Sequence, residues 1–263
     1  MARPFYLIGH NTNSIDEIRE GLAAGLNAFE IDVNRDADDQ LYVAHDFVAA
    51  PLLEVLGAMP PKLDVFLSEL RQLAVSPEGA GIALVIIDSK ITSAALGAEI
   101  ARSVRAHLTD NAQLLPVIYS VPKVGDAETF FQQIHASLMS KEGLMIDEED
   151  DAALVSKVFH ALGVRHACYA NGITTIAGIG LPSPNLAAEM EAAVALRAAG
   201  ELRFTYPWVL TRPDTMAEFM RLGVSGVMVD TPRATELANV MRSPELAEQV
   251  RVATRADDPF TAE

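Results

Sequence analysis

Cysteine is almost missing from these 263 residues: Cys168 stands alone. No intramolecular disulfide can form, so cysteine usage neither requires nor excludes an oxidising compartment. Basic residues are scarce too, 20 Lys and Arg against 36 Asp and Glu, for a net charge of −16. No Lys/Arg run reverses that charge locally, so a nucleic-acid partner is not expected, and anionic membrane surfaces repel the chain on average. No apolar run reaches the length of about 18 residues that spans a bilayer. The opening "MARPFYLIGH" has no charged n-region followed by an apolar h-region, which leaves a cytoplasmic protein and the mature form of a secreted one both open. Linkers, low-complexity tracts and short repeats are absent as well, and residues 1–263 are expected to form one domain.

What is present is alternation. Strand-like runs are expected at Phe5–His10, Ala28–Val33, Ala83–Lys90, Leu114–Val121, Gly143–Glu148, Arg165–Asn171, Arg203–Leu210 and Gly226–Thr231. Helical patterns lie between them, such as "SIDEIREGLAAG", "SAALGAEIARSVRAHL", "DAETFFQQIHASL" and "DAALVSKVFHALG". Three more follow in "NLAAEMEAAVALRAAG", "PDTMAEFMRLG" and "PRATELANVM". Gly25, Gly163, Gly200 and Gly223 end helices as left-handed caps would. Eight strands with eight crossovers match a closed (β/α)8 TIM barrel. An open doubly wound sheet usually carries a glycine-rich phosphate loop after its first strand, where this chain has "GHNTNS".

In such a barrel chemistry gathers at the C-terminal strand ends. His10 ends the first strand, Glu30 and Asp32 the second, Asp88 and Lys90 the third, and His45 closes an extra extended segment, "LYVAHD". Glu30 and Asp32, two apart, point to one face, the barrel interior, where two carboxylates need a compensating cation. With Asp88 they offer three oxygens, a ligand set for one hard ion, Mg²⁺ or Ca²⁺. Two histidines beside such an ion suit acid–base or nucleophile–acid chemistry on a phosphodiester, with Lys90 neutralising phosphate oxygens. Singly, each feature has a plainer explanation: a salt-bridged strand end, a structural histidine, a local "DSK" ion pair. His107, His135, His160 and His166 are assigned structural roles.

The segments "GHNTNS", "GLNAFEIDV" and "LYVAHD" resemble the opening of the glycerophosphodiester phosphodiesterase superfamily. "LVIIDSK", "YANGITT", "YPWVLTRPDTMAEFMRLGVSGVMVDTP" and the closing "ATRADDPF" are similar to its sphingomyelinase D branch, the phospholipase D enzymes of spider venoms and some actinobacteria. The resemblance runs from Leu7 to Phe260. It implies that His10 is nucleophile or base, that His45 is the acid for the leaving alcohol, and that Glu30, Asp32 and Asp88 hold the metal. It further implies that Lys90 contacts phosphate, that the tail plugs the barrel bottom, and that Trp208 lines the head-group or lipid entrance. The chain departs from the branch in a shorter, cysteine-free loop after His45, in Asp46 beside it, in Thr211 and Asn171 where aspartates stand, and in Asp230 in place of an asparagine. Asn171 and Asp230, at the mouth, are expected to touch substrate.

The expected activity is removal of choline or ethanolamine from a lysophospholipid, lysoplasmalogen or sphingomyelin-like lipid, with a cyclic phosphate formed by the substrate's own hydroxyl. Hydrolysis of glycerophosphocholine or glycerophosphoethanolamine is the alternative, and a non-catalytic lipid- or metal-binding barrel the alternative of another class. A secreted monomer is expected.

Overall fold

The computed structural model describes residues 2–45, 59–111, 114–149, 151–176, 179–182 and 185–261, with side chains left out over 173–182. Asp46 and the shortened loop after His45, to residue 58, lie outside the described residues. Eight strands run parallel: β1 (Arg3–His10), β2 (Ala28–Arg35), β4 (Leu84–Ser89), β5 (Val117–Val121), β6 (Glu142–Ile146), β7 (Ala167–Ile176), β9 (Phe204–Trp208) and β10 (Gly226–Asp230). Continuous ladders connect them except between β9 and β10. There Ser225 N donates to Thr205 O at 2.8 Å and Leu210 N to Met228 O at 3.0 Å, closing a (β/α)8 TIM barrel. Three short strands are added outside the ring: β3 (Leu41–Val43) antiparallel to β2, β8 (Ile179–Pro182) antiparallel to β7, and β11 (Val250–Val252) parallel to the start of β1.

Both faces of a barrel strand are covered, so the strands read as apolar runs, and alternation decides which core each side chain enters. Tyr6, Ile8, Ala28, Leu84, Ile86, Ile118, Met145, Phe204, Tyr206 and Met228 fill the barrel interior. Residues of the opposite parity, among them Leu7, Phe29, Ile87, Tyr119 and Tyr169, pack outward under the helices.

The helices follow their sequence patterns with three differences. Helix Leu63–Val75, absent from the expected patterns, crosses from β3 to β4 and buries Leu63, Phe66, Leu67, Leu70, Leu73 and Ala74. The pattern over 126–138 gives a helix only at Val124–Phe130, then two 3₁₀ turns, Phe131–Gln133 and His135–Ser137. Three residues per turn put buried Phe131 and Ile134 on one face. The pattern over 93–108 gives helix Ala94–Val104, then a π-helical turn, Arg105–Thr109, from which Arg105 reaches buried Glu142 with two hydrogen bonds of 2.8 and 2.6 Å. Gly25, Gly163, Gly200 and Gly223 all have positive φ, as expected of left-handed caps. No helix among the described residues is long and apolar enough to cross a membrane.

The tail closes the end opposite the C-terminal ends of the parallel strands. Phe260, 4% exposed, enters the interior core and stacks on His166 with ring centres 4.7 Å apart. Arg255 donates to the carbonyls of Ile82, Ala74 and Gly79, and Asn27 Nδ2 donates to Ala253 O at 2.8 Å. Gly143 leaves room for the plug, since a Cβ there would lie 2.5 Å from the Phe260 ring.

Candidate active site

Strand parity builds the site. Seven interior columns begin with apolar residues and end at the mouth in a side chain that can hydrogen-bond: Ile8 leads to His10, Ala28 to Glu30 and Asp32, and Ile86 to Asp88 and Lys90. Ile118 leads to Ser120, Met145 to Asp147, Tyr206 to Trp208, and Met228 to Asp230. Register sets Asp32 beside Asp88, Asp88 beside Ser120, and His10 beside Asp230. A pocket of about 80 Å³ opens there, lined by His10, Glu30, His45, Asp88, Lys90, Asp147, Glu148, Tyr206, Trp208 and Met228.

One oxygen from each of Glu30, Asp32 and Asp88 lies within 4.8 Å of the others, and all three residues are buried. Local contacts aim them. Asn11 N donates to Glu30 Oε2 at 2.8 Å, from a residue held at φ 52°. Asn13 clasps Asp32 reciprocally, its Nδ2 donating to Oδ2 at 2.7 Å and its Oδ1 accepting from Asp32 N at 2.9 Å. Asp32 Oδ1 is buried without a well-directed hydrogen bond, and Lys90 Nζ lies 2.9 Å from it while also pairing with Asp88. Burial pushes the Glu30 carboxyl well up, with Asp32 and Asp88 adding to it; burial also raises Asp88, against the pull of Lys90. Burial lowers the Lys90 ammonium, yet Asp88 and Asp32 hold it above its usual range. Three buried carboxylates against a single ammonium fit one further cation, a divalent metal held by Glu30, Asp32 and Asp88.

His10 Nδ1 and Asp230 Oδ1 are 2.8 Å apart. A carboxylate only accepts, so Nδ1 carries the proton, and Nε2 lies 4.0 Å from Glu30 Oε2 at the pocket. The hydrogen bond from His10 holds the Asp230 carboxyl below its ordinary range. Asp230 thus faces His10 directly. His45 is exposed at the end of β3, lines the pocket, and accepts through its carbonyl from Asn34 Nδ2 at 3.2 Å. Trp208 lines it too, its ring fixed by Nε1 donating to Asp147 O at 2.8 Å. Asn171 falls on the outward parity of β7 with Tyr169. It is 3% exposed, donates to Tyr169 Oη at 3.2 Å, accepts from Gly172 N at 2.6 Å, and is outside the pocket lining.

Asp147 joins the site without having been singled out by sequence reasoning. It is buried in the pocket wall, accepts from Ser120 Oγ at 2.6 Å, and has its carboxyl pushed well up by burial and then by Asp88. A signal was there: "LMID" ends β6 as "VIID" ends the interior column of β4. Asn11 and Asn13 stand in the "GHNTN" motif, where their roles are not legible because the contacts that give them work are tertiary.

The family model described as Dermonecrotic toxin SPH matches residues 1–260. A dermonecrotic toxin of Sicarius peruensis is 26% identical over 278 residues, covering 97% of this chain and 98% of its own. One from Loxosceles gaucho is 25% identical over 281 residues, covering 98% and 97%. Among solved structures, a glycerophosphodiester phosphodiesterase from Parabacteroides distasonis superposes with a TM-score of 0.62 at 16% identity, over 91% of this chain and 99% of that one. A phosphodiesterase from Oleispira antarctica, solved with the product sn-glycerol-3-phosphate, gives 0.60 at 13% identity, over 90% and 97%. At these identities the structural likeness concerns the fold.

Proposed function

Because the chain belongs to the dermonecrotic toxin SPH family, the sphingomyelinase D branch of the glycerophosphodiester phosphodiesterase superfamily, we propose that it is a metal-dependent phosphodiesterase of phospholipase D type that removes choline or ethanolamine from lysophospholipids. The observation that carries this reading is the convergence of His10, His45, Glu30, Asp88 and Lys90 on one pocket, with Asp32 buried behind Lys90.

The reaction divides among these residues. Glu30, Asp32 and Asp88 would hold a divalent ion, Mg²⁺ or Ca²⁺, which would supply the positive charge that a phosphate diester needs in an acidic pocket. His10, its Nδ1 proton donated to Asp230, accepts at Nε2 the proton of the substrate's free hydroxyl as that oxygen bonds to phosphorus. His45 gives a proton to the departing head-group oxygen as its bond to phosphorus breaks, leaving a cyclic phosphate and a free alcohol. Lys90 takes a phosphate oxygen. Glu148, Tyr206 and Trp208, in the pocket lining, supply anionic and aromatic surface for a cationic head group. We read 1–263 as one such domain, acting as a secreted monomer.

Hydrolysis of glycerophosphocholine is the second reading, favoured by the small size of the pocket, about 80 Å³. The test is ³¹P NMR of purified protein with lysophosphatidylcholine and, separately, glycerophosphocholine, in Mg²⁺, Ca²⁺ and EDTA. A cyclic-phosphate resonance from the lyso-lipid, lost in EDTA, is the expected outcome. A monoester without a cyclic precursor would assign the attack to water, turnover of glycerophosphocholine alone would establish the second reading, and no turnover of either would sink the lyso-lipid assignment.

A further inference from the structure

One hollow is far larger than the pocket at the catalytic mouth. It lies at the other end of the barrel, about 780 Å³, between the C-terminal half of helix Ala152–Ala161, the segments that enter β7 and β9, and the Phe260 plug. That volume is in the range of small-molecule sites and far exceeds the pocket at the mouth.

Its charge runs against the rest of the chain. Lys157, Arg165 and Arg203 line it, with Glu201 as the single carboxylate, in a protein of net charge −16. Glu201 is already engaged, accepting from Ser156 Oγ at 2.8 Å. Several guanidinium groups elsewhere pair with acids, as in Arg105 with Glu142, Arg221 with Glu245 and Arg251 with Asp257, and others, such as Arg255, with backbone carbonyls. Among the described residues Lys157, Arg165 and Arg203 have no such partner. Three cations around a hollow that holds one carboxylate leave an excess of positive charge, which an anion would neutralise.

The floor is built rather than accidental. His166 Nδ1 donates to Glu142 O at 2.8 Å, and the ring stacks on Phe260 at an interplanar angle of 3°. Val164 and Phe260 add apolar surface beside the charges. Guanidinium and ammonium groups are the donors that suit a phosphate monoester, and the apolar floor suits an organic group attached to it.

We propose that this basal pocket binds a phosphomonoester dianion, separately from the catalytic mouth and independently of the activity proposed for it. The general repulsion of anionic bilayers by a chain of this charge favours a soluble ligand over a lipid head group.

The test is calorimetric titration of the whole chain in EDTA with phenyl phosphate, and in parallel with phosphatidylcholine vesicles containing phosphatidic acid. Phenyl phosphate is expected to bind, to weaken with added salt, and to bind at least about tenfold more weakly to Arg165→Gln/Arg203→Gln and to Lys157→Gln. Asp88→Asn at the mouth is expected to leave that affinity unchanged. Binding confined to the vesicles, with the same losses in the basal variants, would assign the phosphate to a lipid. No binding of either probe would overturn the site, as would binding that the basal variants leave intact or that Asp88→Asn abolishes. Thermal melting of each variant establishes that it is folded; Lys157→Gln, changed at an exposed side chain, carries the test if the double variant is not.

Discussion

Lys90 is drawn two ways, toward Asp32 and Asp88 in this structure and toward phosphate in the proposed reaction. One ammonium cannot serve both at once, so a bound ion and Lys90 compete for the same oxygens. Lys90→Gln is therefore expected to bind Mg²⁺ more tightly, on the order of tenfold. Its kcat/KM should nevertheless fall on the order of a hundredfold, since a donor to the transition-state phosphate is lost. Calorimetry and steady-state kinetics on one preparation separate the two effects; equal metal affinity in the variant would show that Lys90 does not guard the carboxylates. The raised carboxyl pKa values of Glu30, Asp88 and Asp147 carry a second expectation. An acid whose folded pKa exceeds its unfolded value binds more protons when folded, so stability falls as pH rises from the ordinary carboxylate range through the raised values. Metal-free protein should melt at least about 2–4 °C lower at about pH 8 than at about pH 5.5. Saturating metal should flatten that slope, which melts in EDTA and in Mg²⁺ would check. At this scale the sequence showed which residues stand at strand ends, but not their partners. The His10–Asp230 pair joins residues 220 apart, and residue types alone say nothing about a contact made between β1 and β10.

Alternation along a strand was the most legible feature, because its period is fixed by the pleat and does not depend on tertiary detail. It put Glu30 with Asp32, and Asp88 with Lys90, on single columns. Applied to β7, the same count separates Asn171 from the interior column of Cys168 and Ala170. The crossover helix Leu63–Val75 was harder to see: its N-terminal residue Lys62 makes no side-chain cap, whereas Ser14 and Glu17 form a full capping box at helix Ile15–Ala24. The plug is the element whose energetics are simplest to test. Phe260→Ala should destabilise by about 3–5 kcal/mol, the usual loss for a buried phenylalanine. Denaturant unfolding measures it, and a loss below about 1 kcal/mol would mean that the tail decorates the barrel without closing it. Gly143→Ala should act in the same direction, as its methyl would meet the Phe260 ring.

For the molecule as a whole, β1 is paired with β2 on one side and, across residues 6–10, with residues 226–230 on the other. Its first residues are paired with β11, and the plug that seals the floor ends at Phe260. During synthesis, then, β1 must keep one edge bare until residues 226–230 appear. Ring closure is thus a late event in the life of each molecule, and the incomplete chain is the form most exposed to proteases and to strand exchange. A chain cut short before Gly226 should be digested rapidly by a dilute protease, and one carried through to Phe260 should resist it. Resistance in the shortened chain would mean that seven strands hold their curvature unaided.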